Sequence, residues 1–142
     1  MRVIVFVKAT VESERGDPPS AEMFEAMGRF NAELEKAGVL APGGGDGLRP
    51  SSHGKRVAFD GPRRMVMDGP FTETKEVVAG FWLWTVKDMD EAVAWARRCP
   101  NPMPGPSELE IRPVYGMEDF AQAMTPEVAE IHDRTRDKLA GN

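Results

Sequence analysis

Two helices laid on one face of a mainly antiparallel sheet, an α+β arrangement, are what this sequence predicts, and three observations carry that reading. Runs of β-branched and aromatic residues at 2–8, 55–59, 64–68, 77–86 and 108–115 have the composition of strands. Two stretches with apolar residues at spacings of three and four have the period of helices. The resulting order is β, α, ββ, β, α, β, then further helices. Helices separated in this way pack on one face of a mostly antiparallel sheet, the ferredoxin-like sandwich. The 142 residues fit one domain, and a chain of that length buries about 70% of its unfolded surface without a disulfide or metal.

The first strand, Arg-Val-Ile-Val-Phe-Val-Lys, is apolar on both faces: Val3, Val5 and Val7 on one, Ile4 and Phe6 on the other. A strand of this kind is covered on both sides. Residues 9–19 read as a polar connector ending in Pro18-Pro19. Ser20 is placed to cap a helix whose apolar stripe is Met23, Met27, Phe30 and Leu34, and Gly38 fits the position after its last turn. Residues 41–54 read as a loop. Its Gly43-Gly44-Gly45-Asp46-Gly47 run lacks the Gly-Lys-Ser/Thr ending of a phosphate loop and is expected to be flexible. Asp60-Gly61-Pro62-Arg63 joins the next two strands as a hairpin.

Residues 77–86 alternate, with Phe81, Leu83 and Thr85 on one face and Trp82, Trp84 and Val86 on the other. Asp88 caps the second helix, and Glu91 three residues on has the spacing of a capping box. Met89, Ala92, Val93 and Ala96 form its buried face, and four prolines from Pro100 to Pro106 end it. Pro113 marks residues 108–115 as an edge strand or a strand exit. A short helix near 117–124 is followed by a helix capped by Thr125, with Pro126 at its first position and Val128, Ile131 and Leu139 along its apolar side. Two helices cover one sheet face. Trp82, Trp84, Ile4 and Phe6 are expected on the other, and a second copy related by a two-fold axis is the natural cover for it; the C-terminal helices are the alternative.

Several function classes are excluded at this level. Eighteen basic against 23 acidic residues give a net charge of −5, and the basic footprint of a nucleic-acid binder is missing. Met1-Arg2 is followed by five apolar residues, Val3 to Val7, where a secretory signal needs about 7–15, and no run approaches the roughly 20 that span a membrane. With Cys99 the single cysteine, a reducing compartment is expected, and the protein is expected to be cytoplasmic. Two histidines 79 positions apart and no cysteine pair give no zinc pattern, and no cofactor or metal is indicated.

The densest mix of charge and turn residues is Asp68-Gly69-Pro70-Phe71-Thr72-Glu73-Thr74-Lys75-Glu76. On composition it is a strand exit and a polar connector, and Asp60-Gly61-Pro62 uses the same tripeptide for a simple hairpin. As a site, Asp68 would act as acid or base, and Arg112, opposite the Leu109–Ile111 side of its strand, would bind a carboxylate bidentately. The competing reading is an Arg112–Glu ion pair that fixes the connector.

These residues also carry a resemblance. Asp68-Gly69-Pro70-Phe71 with Thr72 to Glu76, then Gly80-Phe81, then Ile111-Arg112-Pro113-Val114, resembles the signature of the DGPF-motif family of YCII-related proteins. Ala37-Gly38-Val39-Leu40, Gly47-Leu48-Arg49-Pro50 and Asp90-Glu91-Ala92 agree with it. The likeness covers residues 1–116 and leaves 117–142 as a C-terminal helical extension of the same domain. It implies a ferredoxin-like fold that pairs as a homodimer into a dimeric α/β barrel. Some YCII-related proteins are proposed to use a His-Asp pair. The histidines here are His53, in the glycine-rich loop, and His132, in the extension. Two functions follow as expectations. The first is binding or transformation of a small acidic or aromatic molecule, with Asp68 catalytic and Phe71, Thr72, Glu73, Lys75 and Arg112 holding the substrate. The second is a non-catalytic regulatory or protein-interaction module linked to sigma-factor-dependent transcription. Neither reading decides whether the chain is an enzyme.

Overall fold

The computed structural model describes residues 1–141. Four strands, β1 (Arg2–Lys8), β2 (Leu40–Gly47), β5 (Val78–Thr85) and β6 (Leu109–Pro113), form one sheet in the order β2-β5-β1-β6, and every neighbouring pair is antiparallel. Helices α2 (Ala21–Lys36) and α3 (Met89–Arg98) complete the split β-α-β arrangement expected of a ferredoxin-like α+β domain. A separate two-stranded hairpin, β3 (Lys55–Asp60) with β4 (Arg63–Asp68), is inserted between β2 and β5. Among the described residues no closed barrel is formed.

Both helices begin where their capping side chains predict. Ser20 accepts a hydrogen bond from the Met23 N–H (3.1 Å), and Asp88 accepts one from the Glu91 N–H (2.9 Å). Glu91 reaches back to the N–H of Lys87, one residue before the cap, instead of closing the box on Asp88. The core lies between sheet and helices. It contains Val3, Val5 and Val7 from β1, Trp82 and Trp84 from β5, Phe30 and Leu34 from α2, and Ala92 from α3. Phe30 meets both tryptophans edge-on, with ring centroids at 6.0 and 6.3 Å, the favoured aromatic geometry.

Register corrects the expected face of the tryptophans. Val5 pairs with Trp82 and Val3 with Trp84. Directly opposed residues share a face, so both indoles join the valines under the helices. Alternation separates two faces of a strand without saying which one the helices take. The outer face instead carries Ile4, Phe6, Phe81 and Leu83, all half-buried, with Arg112 beside Ile4 in register.

Two expected connectors are ordered elements. Residues Val11–Arg15 form a short helix, α1, capped by Thr10 and closed by Gly16 at φ 82°. The glycine-rich run belongs to β2, which pairs with β5 through an irregularity between Leu40 and Gly45. Gly45 explains why glycine stands there: at φ 142° a Cβ would lie 2.1 Å from the Phe81 carbonyl oxygen and 2.8 Å from the Trp82 Cα. The strand approaches its neighbour too closely for any side chain.

The C-terminal helix, α4 (Pro126–Ala140), starts at Thr125 as its cap and proline predict, yet buries none of its residues. Ile131 and Leu139 are exposed, so the apolar line read from the sequence has no partner among the described residues and α4 does not cover the sheet. No helix among the described residues is long and apolar enough to cross a membrane.

Candidate functional site

A cleft of about 930 Å³ opens where α1 and the start of α2 face the glycine-rich end of β2. Its walls come from Val7 of β1 and from four remote stretches, within residues 12–31, 45–50, 79–82 and 102–104. Trp82 forms part of the wall, with its Nε1–H donated to Asn31 Oδ1 at 2.8 Å. Met23, Phe24, Met27 and Met103 supply further apolar surface. The proline-rich segment is held in shape by Asn101. Its Oδ1 accepts from the Met103 N–H (3.0 Å) and the Ser107 hydroxyl (2.7 Å), and its Nδ2 donates to the Gly105 carbonyl (2.9 Å). Thr10 donates to Met103 Sδ at 3.3 Å and so ties this segment to the exit of β1.

The charges of the cleft have one sign. Glu12, Asp17 and Asp46 line it, and no lysine, arginine or histidine does among the described residues. Asp17 is engaged by Arg15 (2.7 Å), and this hydrogen bond and charge raise the guanidinium pKa. Glu12 and Asp46 make no ion pair among the described residues.

None of the six residues expected from the sequence lines this cleft. Asp68 ends β4 opposite Lys55 and forms an exposed ion pair with it. Phe71 sits under the guanidinium of Arg56, 3.8 Å from ring centroid to Cζ. Thr72, Glu73 and Lys75 are exposed in the turn that follows, where Thr74–Glu76 form a single 3-10 turn. Arg112 is exposed on β6, on the outer sheet face, without an ion pair. No hydrogen bond or ion pair joins Asp68 to Arg112 or Lys75 among the described residues. His53 and His132 are both exposed, in the 3-10 turn Ser51–His53 and in α4.

What the Asp68–Phe71 stretch does make is a clasp. Ser51 is the one polar residue in the buried set. Its backbone N–H (2.9 Å) and its hydroxyl both donate to Glu14 of α1, and its hydroxyl oxygen accepts from the Phe71 N–H at 3.0 Å. Gly69 donates to the Gly54 carbonyl at 3.0 Å, through a segment whose Gly69–Pro70 bond is cis. A Cβ on Gly69 would stand 1.8 Å from the Ser51 carbonyl oxygen, which accounts for the glycine. The clasp fastens the base of the hairpin to the helix whose Glu12 lines the cleft.

The remaining nucleophile is inert by position. Burial pushes the Cys99 thiol up to about 11, so it stays protonated near neutrality. The described residues hold no group of three or more His, Cys, Asp or Glu side chains placed to bind a metal.

The class these observations define is a ferredoxin-like α+β domain with a side cleft and an inserted hairpin. Within that class, the chain belongs to the YCII-related family: the YCII-related domain is matched over residues 1–118. A curated relative, an uncharacterized protein of Rhizobium meliloti (strain 1021), is 37% identical over 89 residues, 63% of this chain and 68% of that protein. The match ends early in the 3-10 segment Met117–Ala123, and α4 lies beyond it.

Proposed function

We propose that this YCII-related protein binds a small molecule with an aromatic or alkyl body and a protonated amine, using the cleft between α1, α2 and the edge of β2. The observation that carries this reading is the pairing of apolar walls with carboxylates and no cation. Ligand sites combine a mainly apolar enclosure of about 300–1,000 Å³ with a few convergent polar groups. An acidic ligand would need the cations expected of Lys75 and Arg112, and neither lines the cleft. The Asp68–Glu76 stretch serves here as a clasp, and Asp68, Phe71, Thr72, Glu73, Lys75 and Arg112 act on binding only through it or through assembly. The single cysteine suits a reducing compartment, the cytoplasm.

The working form in this reading is a homodimer joined through the outer sheet face, with Ile4, Phe6, Phe81 and Leu83 packed against their symmetry mates to complete a dimeric barrel. Sedimentation at micromolar concentration gives twice the chain mass, and Leu83→Asp shifts it to one.

The experiment that tests the ligand class is a titration with phenethylamine and, in parallel, phenylacetate, followed by tryptophan fluorescence. The amine shifts the Trp82 emission and the acid does not, and Glu12→Gln with Asp46→Asn removes the response. Equal responses to both compounds, or no response to either, would overturn the reading.

A further inference from the structure

We propose that the tip of the β3–β4 hairpin from a second copy of this chain closes the cleft, bringing Phe59, Arg63 and Arg64 against the wall that carries Glu12 and Asp46. The proposal rests on the cleft as a surface that selects cations with an apolar body, and it names a macromolecular occupant for its mouth.

The hairpin is poorly covered by the rest of the chain. Every residue of β4 is exposed, and Val57 (50%), Phe59 (73%) and Val66 (63%) present apolar surface to solvent. Val57 and Val66 are directly paired, as are Phe59 and Arg64, so one face of the arm runs from valine to an aromatic and a guanidinium. An isolated two-stranded hairpin is marginal in water, and contiguous exposed apolar surface of this kind marks an interaction site.

Charge identifies the occupant's cleft. The arm carries four cations (Lys55, Arg56, Arg63, Arg64) and two anions (Asp60, Asp68), an excess of two positive charges on a chain whose net charge is −5. Lys55 is taken by Asp68, and Arg56 is stacked on Phe71. At the tip, Arg64 lies 4.7 Å over the Phe59 ring, and neither Arg63 nor Arg64 has a carboxylate partner among the described residues. The tip is thus an aromatic ring joined to two guanidinium groups without carboxylate partners, Arg64 donating to the Gly61 and Arg63 carbonyls (2.7 and 2.8 Å). The cleft is an aromatic and thioether wall with Glu12 on α1 and Asp46 at the edge of β2, in register with Phe81, and neither makes an ion pair among the described residues. The two surfaces complement each other in sign and in apolar character, which sets partner choice at interfaces.

The exposed tip and its charge point to a second copy as the partner. The rim of the cleft ends at Leu48 and Pro50, and the clasp at Ser51–Gly54 begins the arm immediately beyond. Six residues of strand reach about 20 Å. Phe59, Arg63 and Arg64 are exposed, and among the described residues they make no hydrogen bond or ion pair with the walls of their own cleft, which leaves the tip open to another molecule's. Two arms exchanged reciprocally close a two-fold assembly.

Cross-linking between distinguishable chains tests this. Both chains carry Cys99→Ser. A tagged chain with Glu12→Cys is mixed with an untagged chain with Arg63→Cys and oxidised with copper phenanthroline. A disulfide-linked product of one tagged and one untagged chain forms in several-fold excess over the control in which Ala140→Cys replaces Arg63→Cys. A yield no higher than the control overturns the proposal. So does an intrachain disulfide in the Glu12→Cys, Arg63→Cys double variant, which would place the arm on its own cleft. Independently, Arg63→Glu with Arg64→Glu weakens self-association by about tenfold or more, and Glu12→Arg with Asp46→Arg in the same chain restores it. Loss without restoration, or no loss, counts against the arm. An amine response without the cross-link would retire the arm and leave the ligand reading standing; the cross-link without an amine response would do the reverse.

Discussion

Val5 and Val57 are both valines inside antiparallel strands, yet Val5 is fully buried and Val57 is half exposed. The sheet that holds Val5 is packed under two helices, while the hairpin that holds Val57 is fastened only at its base. Strand formation in the two regions has the same local cause, β-branched residues in register. What differs is the use of the side chains. In the body they hold the fold, and on the arm they are left available. The body therefore answers to deletion of buried atoms, and the arm answers to changes in what it meets outside the protomer.

The largest expected effect lies in the body. Trp84→Ala removes a fully buried indole and lowers unfolding free energy by about 3–5 kcal/mol in urea titrations. A loss below 1 kcal/mol would mean that the core repacks and that the contrast is overstated. At the junction of the two regions, Ser51→Ala removes the hydroxyl that donates to Glu14 and accepts from the Phe71 N–H, leaves the backbone bond to Glu14 in place, and costs about 1–3 kcal/mol in the same measurement. An unchanged midpoint would show that the clasp is dispensable. On the arm, Asp68→Ala breaks an exposed ion pair with Lys55 and changes stability by less than about 1 kcal/mol. A larger loss would give Asp68 a structural weight that its exposure denies.

The smallest effect concerns Cys99, whose thiol is pushed by burial from an ordinary 9.0 up to about 11. The folded pKa is raised, so the associated stability is complete below about pH 9 and falls as pH rises through 11. Its reaction with a disulfide reagent at pH 8 is slower than in the urea-unfolded chain and accelerates between pH 9 and 11. Equal rates at pH 8 would mean an accessible thiol.

Much of the body was legible because its signals are local. Ser20, Asp88 and Thr125 cap helices where short polar side chains precede apolar spacing, and Asp60-Gly61 turns the hairpin. β2 escaped because glycine has no strand propensity; its place is set by Gly45 fitting against the Phe81 carbonyl, a long-range contact. α1 is too short for periodicity to register. The face of Trp82 and Trp84 follows from register with Val5 and Val3, which alternation alone does not supply. α4 shows the reverse: a clear stripe at Val128, Ile131 and Leu139 of which Ile131 and Leu139 stay exposed. The cleft was the least legible feature. It is assembled from four distant stretches, largely from backbone, proline, methionine and aromatic side chains, and its carboxylates form no spaced motif. The charged run at 68–76 is conspicuous in the sequence, and in the fold its backbone ties the base of the hairpin to Ser51 and Gly54.

Gly45 bears on how this site can diversify. A side chain at 45 is excluded by the Phe81 carbonyl and the Trp82 backbone, whereas a Cβ at Gly47 would meet nothing within 4 Å. Along this edge one position is closed to inheritance and its near neighbour is open. New ligand preferences on the β2 wall can therefore arise by single substitutions at 47 without disturbing the sheet, while those at 45 would have to be accompanied by a shift of β5 itself. Descendants of this chain are expected to vary at the first and to keep glycine at the second.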